Sequence, residues 1–309
     1  MKQIVIDCDP GIDDAQAIMM AGMHPDVRIR AITAVAGNVD VDRTTANVLK
    51  ILDILESDPT PVYQGAASAL VETRRDASLY HGEDGLGGAG LPQSTRSVEP
   101  IPAALGLIEM GKRHPGELEL IALGPLTNLA LALRLDPDLP TRYKKLVIMG
   151  GAYLAQGNTP NFPAEFNIFA DPDAAAVVFE CWHGLTMVSW ELTVDNAIPF
   201  ADILRFTEKP NLRSKFLKQT MDYSYEVLAE NFNRHSFYTA DAIAMAVMIE
   251  PDIIEFAEER YVQIERCGLL SRGMTVVDWT ERAGQAANVN IVRKINCQQF
   301  FRLFSNAYL

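Results

Sequence analysis

Four carboxylates fall within the eight residues Asp7-Cys8-Asp9-Pro10-Gly11-Ile12-Asp13-Asp14. Helix capping by Asp13 or Asp14 accounts for one or two of them and leaves the rest repelling one another without a reason. A hard cation supplies that reason, because calcium accepts about six to eight oxygens at about 2.3 to 2.6 Å. Further along, Asn38, Asn158 and Asn167, with Glu165 close to the last, offer directional donors and acceptors of the kind that recognise hydroxyl groups. Each asparagine taken alone reads equally well as a turn former.

These side chains can act together only if the fold brings them to one place. Short β-branched runs at Gln3 to Ile6, Arg28 to Val35, Leu118 to Leu123, Leu146 to Met149 and Leu185 to Ser189 read as strands. Between them, Asp14 to Met23, Thr44 to Leu55, Ile101 to Arg113, Leu126 to Leu135 and Pro172 to Glu180 have helical length and spacing. The alternation predicts an α/β fold, an open, doubly wound, mostly parallel sheet with helices on both faces. The last third adds helices over Asn211 to Glu230 and Asp241 to Ile249 and short strands near Tyr261, Met274 and Val289. In such a sheet the ligand site lies outside the carboxyl ends of the strands. The acidic segment, Asn38, Gly150-Gly151 and Trp190-Glu191 follow predicted strand ends, and Leu123 ends the Leu118 strand. His81 to Gly90 and Gly151 to Pro163 are candidate mobile loops.

The 309 residues carry 27 basic and 40 acidic side chains, a formal charge of -13, and 48% are hydrophobic. That balance describes a globular protein and opposes binding to nucleic acid or an anionic membrane. No apolar leader or membrane-spanning stretch is evident, so a cytoplasmic location is expected. No linker sets off the last third, and residues 1–309 are expected to form one domain. Cys8, Cys181, Cys267 and Cys297 lack paired spacing and are read as buried thiols.

Taken together, DCDPGIDDAQAI from Asp7, VAGN from Val35, LGPLTN from Leu123, MGG from Met149 and AEFNIFADP from Ala164 resemble the inosine-uridine-type nucleoside hydrolase family over almost the whole chain. The resemblance implies a calcium-dependent enzyme that hydrolyses the N-glycosidic bond of ribonucleosides, on one open α/β domain that is often a homodimer or homotetramer. It implies that Asp9 is the general base for a calcium-bound water and that Asp14, the Leu123 carbonyl and Asp241 join Asp9 around the metal. It implies ribose contacts from Asp13, Asn38, Asn158, Glu165 and Asn167, substrate contact through the metal at Asp241, and a substrate-loop histidine in His81.

Two positions depart from the family pattern. The segment Tyr238-Thr239-Ala240-Asp241 has Ala240 where the best-known members have a His that protonates the leaving base, and Trp190-Glu191 has Glu in place of the common Asp. The segment from Asn158 to Glu165 is also one residue longer than usual. Tyr225, Tyr238, His81 and His235 are the candidate replacement acids. The missing His supports a second reading, a catalytically weak nucleoside-binding protein on the same scaffold. A third, a haloacid dehalogenase-like phosphatase using Asp7 and Asp9, is disfavoured by Gly11, by the extra Asp13-Asp14 pair and by the lack of a matching Ser/Thr and Lys pair.

Overall fold

The computed structural model describes residues 1–73 and 75–309. Its strands are β1 (Lys2–Cys8), β2 (Val27–Ala34), β3 (Val62–Gln64), β4 (Glu119–Ala122), β5 (Leu146–Met149), β6 (Leu185–Val188), β7 (Ile198–Pro199), β8 (Ser236–Phe237), β9 (Ile254–Arg260), β10 (Val262–Ile264), β11 (Thr275–Val277) and β12 (Val289–Ile295). Eight of them form the main sheet in the order β3-β2-β1-β4-β5-β6-β12-β9, and β7-β8 and β10-β11 are two-stranded sheets beside it. Seven strands of the main sheet are parallel, and β9 closes one edge antiparallel to β12. The central strands read as continuous apolar runs because both faces are covered: Ile4, Val5 and Ile6 of β1 and Leu146 to Ile148 of β5 are buried.

On one face the core is built with helices α1 (Ile12–Met23) and α2 (Val41–Ile54), the wholly buried helix Ala240–Ile249 and the C-terminal helix Cys297–Asn306. The other face packs under Ala103–Arg113, Thr127–Leu135 and Pro172–Cys181. From β1 the chain winds outward through β2 and β3, then returns to β4 on the opposite flank of β1. The carboxyl ends of β1 and β4 therefore mark the switch point of the sheet. No described helix is long and apolar enough to cross a membrane.

The predicted strands and helices of the first two thirds are present, with ends shifted by at most three residues, the largest shift being the start of α2 at Val41 rather than Thr44. The C-terminal part differs more. The short strand expected near Val289 is the seven-residue β12, which lies inside the main sheet, and β9 beside it was not anticipated. Its sequence IEFAEER carries three glutamates, which keep an edge strand from pairing further and mask its β character. The stretch Asn211 to Glu230 is an α-helix over Leu212–Tyr225 that widens into a π-helix over Glu226–Glu230. His81, expected at the start of a loop, closes a one-turn helix over Ser78–His81. Of the four cysteines expected to be buried, only Cys8 is; Cys181 is half-buried and Cys267 and Cys297 are exposed.

Candidate active site

The turn after β1 places its carboxylates by backbone contacts rather than by salt bridges. Asp14, in the first turn of α1, accepts the amides of Asp9 at 3.2 Å and Gly11 at 2.9 Å. Asp9 Oδ2 accepts the Asn38 amide at 2.7 Å, and the Asn38 side chain donates to the Asp9 carbonyl at 3.1 Å and to Asp14 Oδ2 at 3.2 Å. Two glycines make room for this carboxylate. A Cβ at Gly37 would fall 2.0 Å from Asp9 Oδ2, and one at Gly124 would fall 2.5 Å from Oδ1.

Asp241 opens the buried helix Ala240–Ile249, which packs on α1 and so carries its first turn to the first turn of α1. Carboxylate oxygens of Asp13, Asp14 and Asp241 all lie within 4.8 Å of one another. Two helix N-termini point into the cluster and partly offset its charge. Burial raises Asp14 to about 7, with the Asp13 charge adding to the rise. Asp9 and Asp241 are pushed well above the usual carboxylate range, first by burial and then by the neighbouring aspartates. Several buried carboxylates with only oxygen donors and mutual repulsion fit a hard divalent cation and suit no soft metal.

Of the expected metal ligands, the structure brings Asp14 and Asp241 into the tight group, with Asp13 as the third member. Asp9 sits beside them and bonds to Asn38. The Leu123 carbonyl lies at the switch point, next to β1 through its own amide on Asp7 O at 2.8 Å. It accepts the Asn167 side-chain amide at 2.7 Å. Asp7, the remaining acid of the motif, is elsewhere. It points into the core, where Thr33 and Asn128 donate to Oδ1 and Oδ2 has no partner among the described residues, and burial raises it to about 7.

Above the carboxylates opens a cavity of about 600 Å³. Asp13, Asn38, His81, Leu123, Asn158, Glu165, Asn167 and Asp241 all line it, which gathers eight of the expected residues on one surface; Asp9 and Asp14 are buried behind Asn38, to which both are hydrogen-bonded. Glu165 caps the short helix Phe166–Ala170 and accepts the amides of Gly151, Asn167 and Ile168. Burial still lifts it to about 7. His81 Nδ1 accepts the Ile12 amide at 3.0 Å, so it has no proton to give Asp13 Oδ1, 4.0 Å away. Burial lowers the His81 pKa, and the neutral ring then carries its proton on Nε2.

The far wall of the cavity was only partly anticipated. Trp190 and Tyr238 stack at 5.7 Å, and the Arg234 guanidinium lies 5.2 Å over the other ring partner, Tyr238. All three line the cavity, as do Tyr80 and Phe232, themselves stacked at 5.6 Å. Arg234 was missed in the sequence because it precedes the β8 strand by two residues and reads as an ordinary surface cation. Of the four candidate acids, Tyr238 and His81 reach the cavity. Tyr225 packs edge-on against Phe200.

A buried carboxylate cluster at the switch point of a doubly wound sheet, opening on an amide-lined cavity, defines an α/β enzyme scaffold with a metal-type site. The profile described as inosine-uridine preferring nucleoside hydrolase matches residues 4–302, and the chain belongs to that family. It is accordingly a hydrolase that cleaves the N-glycosidic bond of ribonucleosides. A pyrimidine-specific ribonucleoside hydrolase, RihB of Escherichia coli strain K12, is 34% identical over 302 residues, covering 98% of this chain and 95% of its own. Among solved structures, an inosine-guanosine nucleoside hydrolase superposes with a TM-score of 0.92 at 33% identity, covering 99% of this chain and 98% of its own. A purine-preferring ribonucleoside hydrolase from Gardnerella vaginalis gives 0.90 at 26% identity with the same coverage.

Proposed function

We propose that calcium is the resident metal, that Asp9, Asp14, Asp241 and the Leu123 carbonyl hold it, and that Asp9 is the general base. The observation that carries this reading is the meeting of buried aspartates from two helix N-termini directly under a cavity walled with amides. When bound, calcium would offset the carboxylate charge, polarise a water and grip vicinal hydroxyls. Asp9 accepts the proton of the attacking water, and its orientation for that task comes from Asn38. Asp13, Asn38, Asn158, Glu165 and Asn167 hold the ribose. Negative charge beneath the sugar favours the oxocarbenium-like transition state of glycosidic cleavage.

The base then lies along the aromatic wall that Trp190 and Tyr238 form by stacking on each other, with Arg234, which also lines the cavity, over the Tyr238 ring. Arginine does not surrender its proton, but its donors stabilise negative charge building on a departing base. The relatives named above differ in base preference, one pyrimidine-specific and two acting on purine nucleosides. The test is ribose release from a panel of purine and pyrimidine ribonucleosides and their 2'-deoxy forms, with calcium and after chelation. Cleavage of ribonucleosides well above the 2'-deoxy forms, lost on chelation and restored by calcium, is the expected result. Equal cleavage of both sugars, or activity indifferent to calcium, contradicts the reading.

A further inference from the structure

The loop that brings Asn158 to the cavity is gripped by a carboxylate that does not itself line the cavity. Glu191 is buried in the first turn of the helix Trp190–Asp195. Its Oε2 accepts the Tyr153 amide at 3.0 Å, and Oε1 accepts Leu154 at 2.8 Å and Gln156 at 3.4 Å. Three backbone amides held on one side chain make a clamp.

The clamp closes on a strained point. Ala155 has φ +58, a left-handed conformation that a residue with a Cβ adopts at a cost and keeps only when its surroundings impose it. The amides on either side of it, Leu154 and Gln156, are the two that share Oε1. Immediately beyond, Gly157 donates to Phe162 O at 2.7 Å and passes so close to Ala164 that a Cβ would fall 2.0 Å from its carbonyl oxygen. Asn158 follows, its amide on Ala164 O at 3.2 Å, and it lines the cavity. Trp190, the neighbour of Glu191, donates its amide to Gly151 O at 2.9 Å and stands on the cavity's aromatic wall.

The geometry points to Glu191 as a positioning residue: it sets the Tyr153–Gln156 turn so that Asn158 meets the ribose while Trp190 faces the base. The inference rests on Asn158 being a ribose contact. It also places two departures of the sequence, Glu for Asp at 191 and the longer Asn158–Glu165 segment, on one structural unit. An aspartate falls short by one carbon–carbon bond, about 1.5 Å, and does not reach all three amides from Tyr153 to Gln156 where this backbone holds them.

The experiment is a double-mutant cycle on the calcium-loaded enzyme with E191A, N158A and the pair, reading KM, kcat and Tm, with E191D alongside. E191A and N158A should each raise KM about tenfold, as the loss of one good polar contact does, with kcat changed less than about threefold. The pair should be at most about threefold worse than either alone, and E191D should fall between wild type and E191A. E191Q, which keeps the side-chain volume and one acceptor oxygen but sets an amide donor against the Tyr153 amide, should raise KM in the same direction by less and is read if E191A does not fold. Effects that multiply to about a hundredfold, or a lower Tm in E191A with unchanged KM, overturn the proposal. So does an unaltered KM in E191A beside an impaired N158A, which leaves Asn158 as a ribose contact. An unaltered KM in N158A overturns both.

Discussion

The Asn38 amide donates to Asp9 Oδ2 at 2.7 Å while its side chain donates to the Asp9 carbonyl at 3.1 Å, so one residue after β2 fixes both the backbone and the carboxylate of Asp9. A carboxylate held this way does not need substrate to orient it. Asp9→Ala is expected to lower kcat by about 10²- to 10⁴-fold, the usual worth of general-base assistance, with KM within a few-fold of wild type. Steady-state kinetics on one good ribonucleoside decides it. More than a tenth of wild-type kcat remaining means that another group takes the proton.

Removing the cation should cost activity and stability together, because the carboxylates of Asp13, Asp14 and Asp241 within 4.8 Å of one another repel in its absence. A ligand at about a hundred times its Kd stabilises by about 2.7 kcal/mol. For a chain of this size that is roughly 5 °C in Tm. Thermal melts and ribose release after chelation and calcium repletion measure both effects. A metal-free preparation with full activity would falsify the cation's role.

The site was more legible in the sequence than the periphery of the fold. Asp13 and Asn38 were identifiable because each follows a strand end, and in a doubly wound sheet those positions share one rim, whereas Asp241 was legible only through the family resemblance. β3 was hidden by its length, three residues between Pro61 and Gly65. The C-terminal helix Cys297–Asn306 did carry a signal, the spacing of Phe300, Leu303 and Phe304 on one buried face, and it was overlooked beside the strand before it. The Arg234–Tyr238–Trp190 stack joins residues far apart in sequence through β8, a two-residue strand, and no local pattern announces it.

Stability of the metal-free protein should fall as pH rises from about 4 toward 7. Asp7 and Glu165 are both raised by burial to about 7 from 3.8 and 4.5, so between those values the folded state holds protons that the unfolded chain has released. Their favourable contribution is complete below the unfolded values and is lost as pH passes the folded ones. Asp7→Asn should flatten that slope, because an amide cannot ionise. Denaturant melts of both proteins at pH 5 and pH 8 test this, and equal slopes for wild type and Asp7→Asn contradict it.

Asn167 donates to the carbonyls of both Leu123 and Met149 and therefore ties the ends of β4 and β5 together at the rim of the cavity. Asn167→Ala should raise KM and lower kcat together through lost ribose contacts, and should lower Tm as well because two buried carbonyls lose a donor. An effect on KM alone, with kcat and Tm unchanged, would reduce Asn167 to a simple binding contact.

Ala240 occupies the position where the family resemblance leads one to expect a proton donor, and the structure sets Tyr238 two residues before it against Trp190 and beneath Arg234. If the base leaves with electrostatic help from Arg234 rather than with a full proton, the rate should depend strongly on how well the leaving group carries negative charge. Assistance by a general acid is worth about 10²- to 10⁴-fold, or roughly 3 to 5 kcal/mol of barrier. p-Nitrophenyl riboside, whose leaving group needs no proton, should accordingly be cleaved much faster than inosine or uridine. Arg234→Met should slow the nucleosides by about tenfold or more, within the range for losing one charge-stabilising donor, and leave p-nitrophenyl riboside nearly unchanged. Tyr238→Phe keeps the stacked ring and should behave like wild type. Similar kcat/KM for all three substrates, with nucleoside cleavage collapsing in Tyr238→Phe or His81→Ala alone, would identify that side chain as a replacement acid and remove Arg234 from the role.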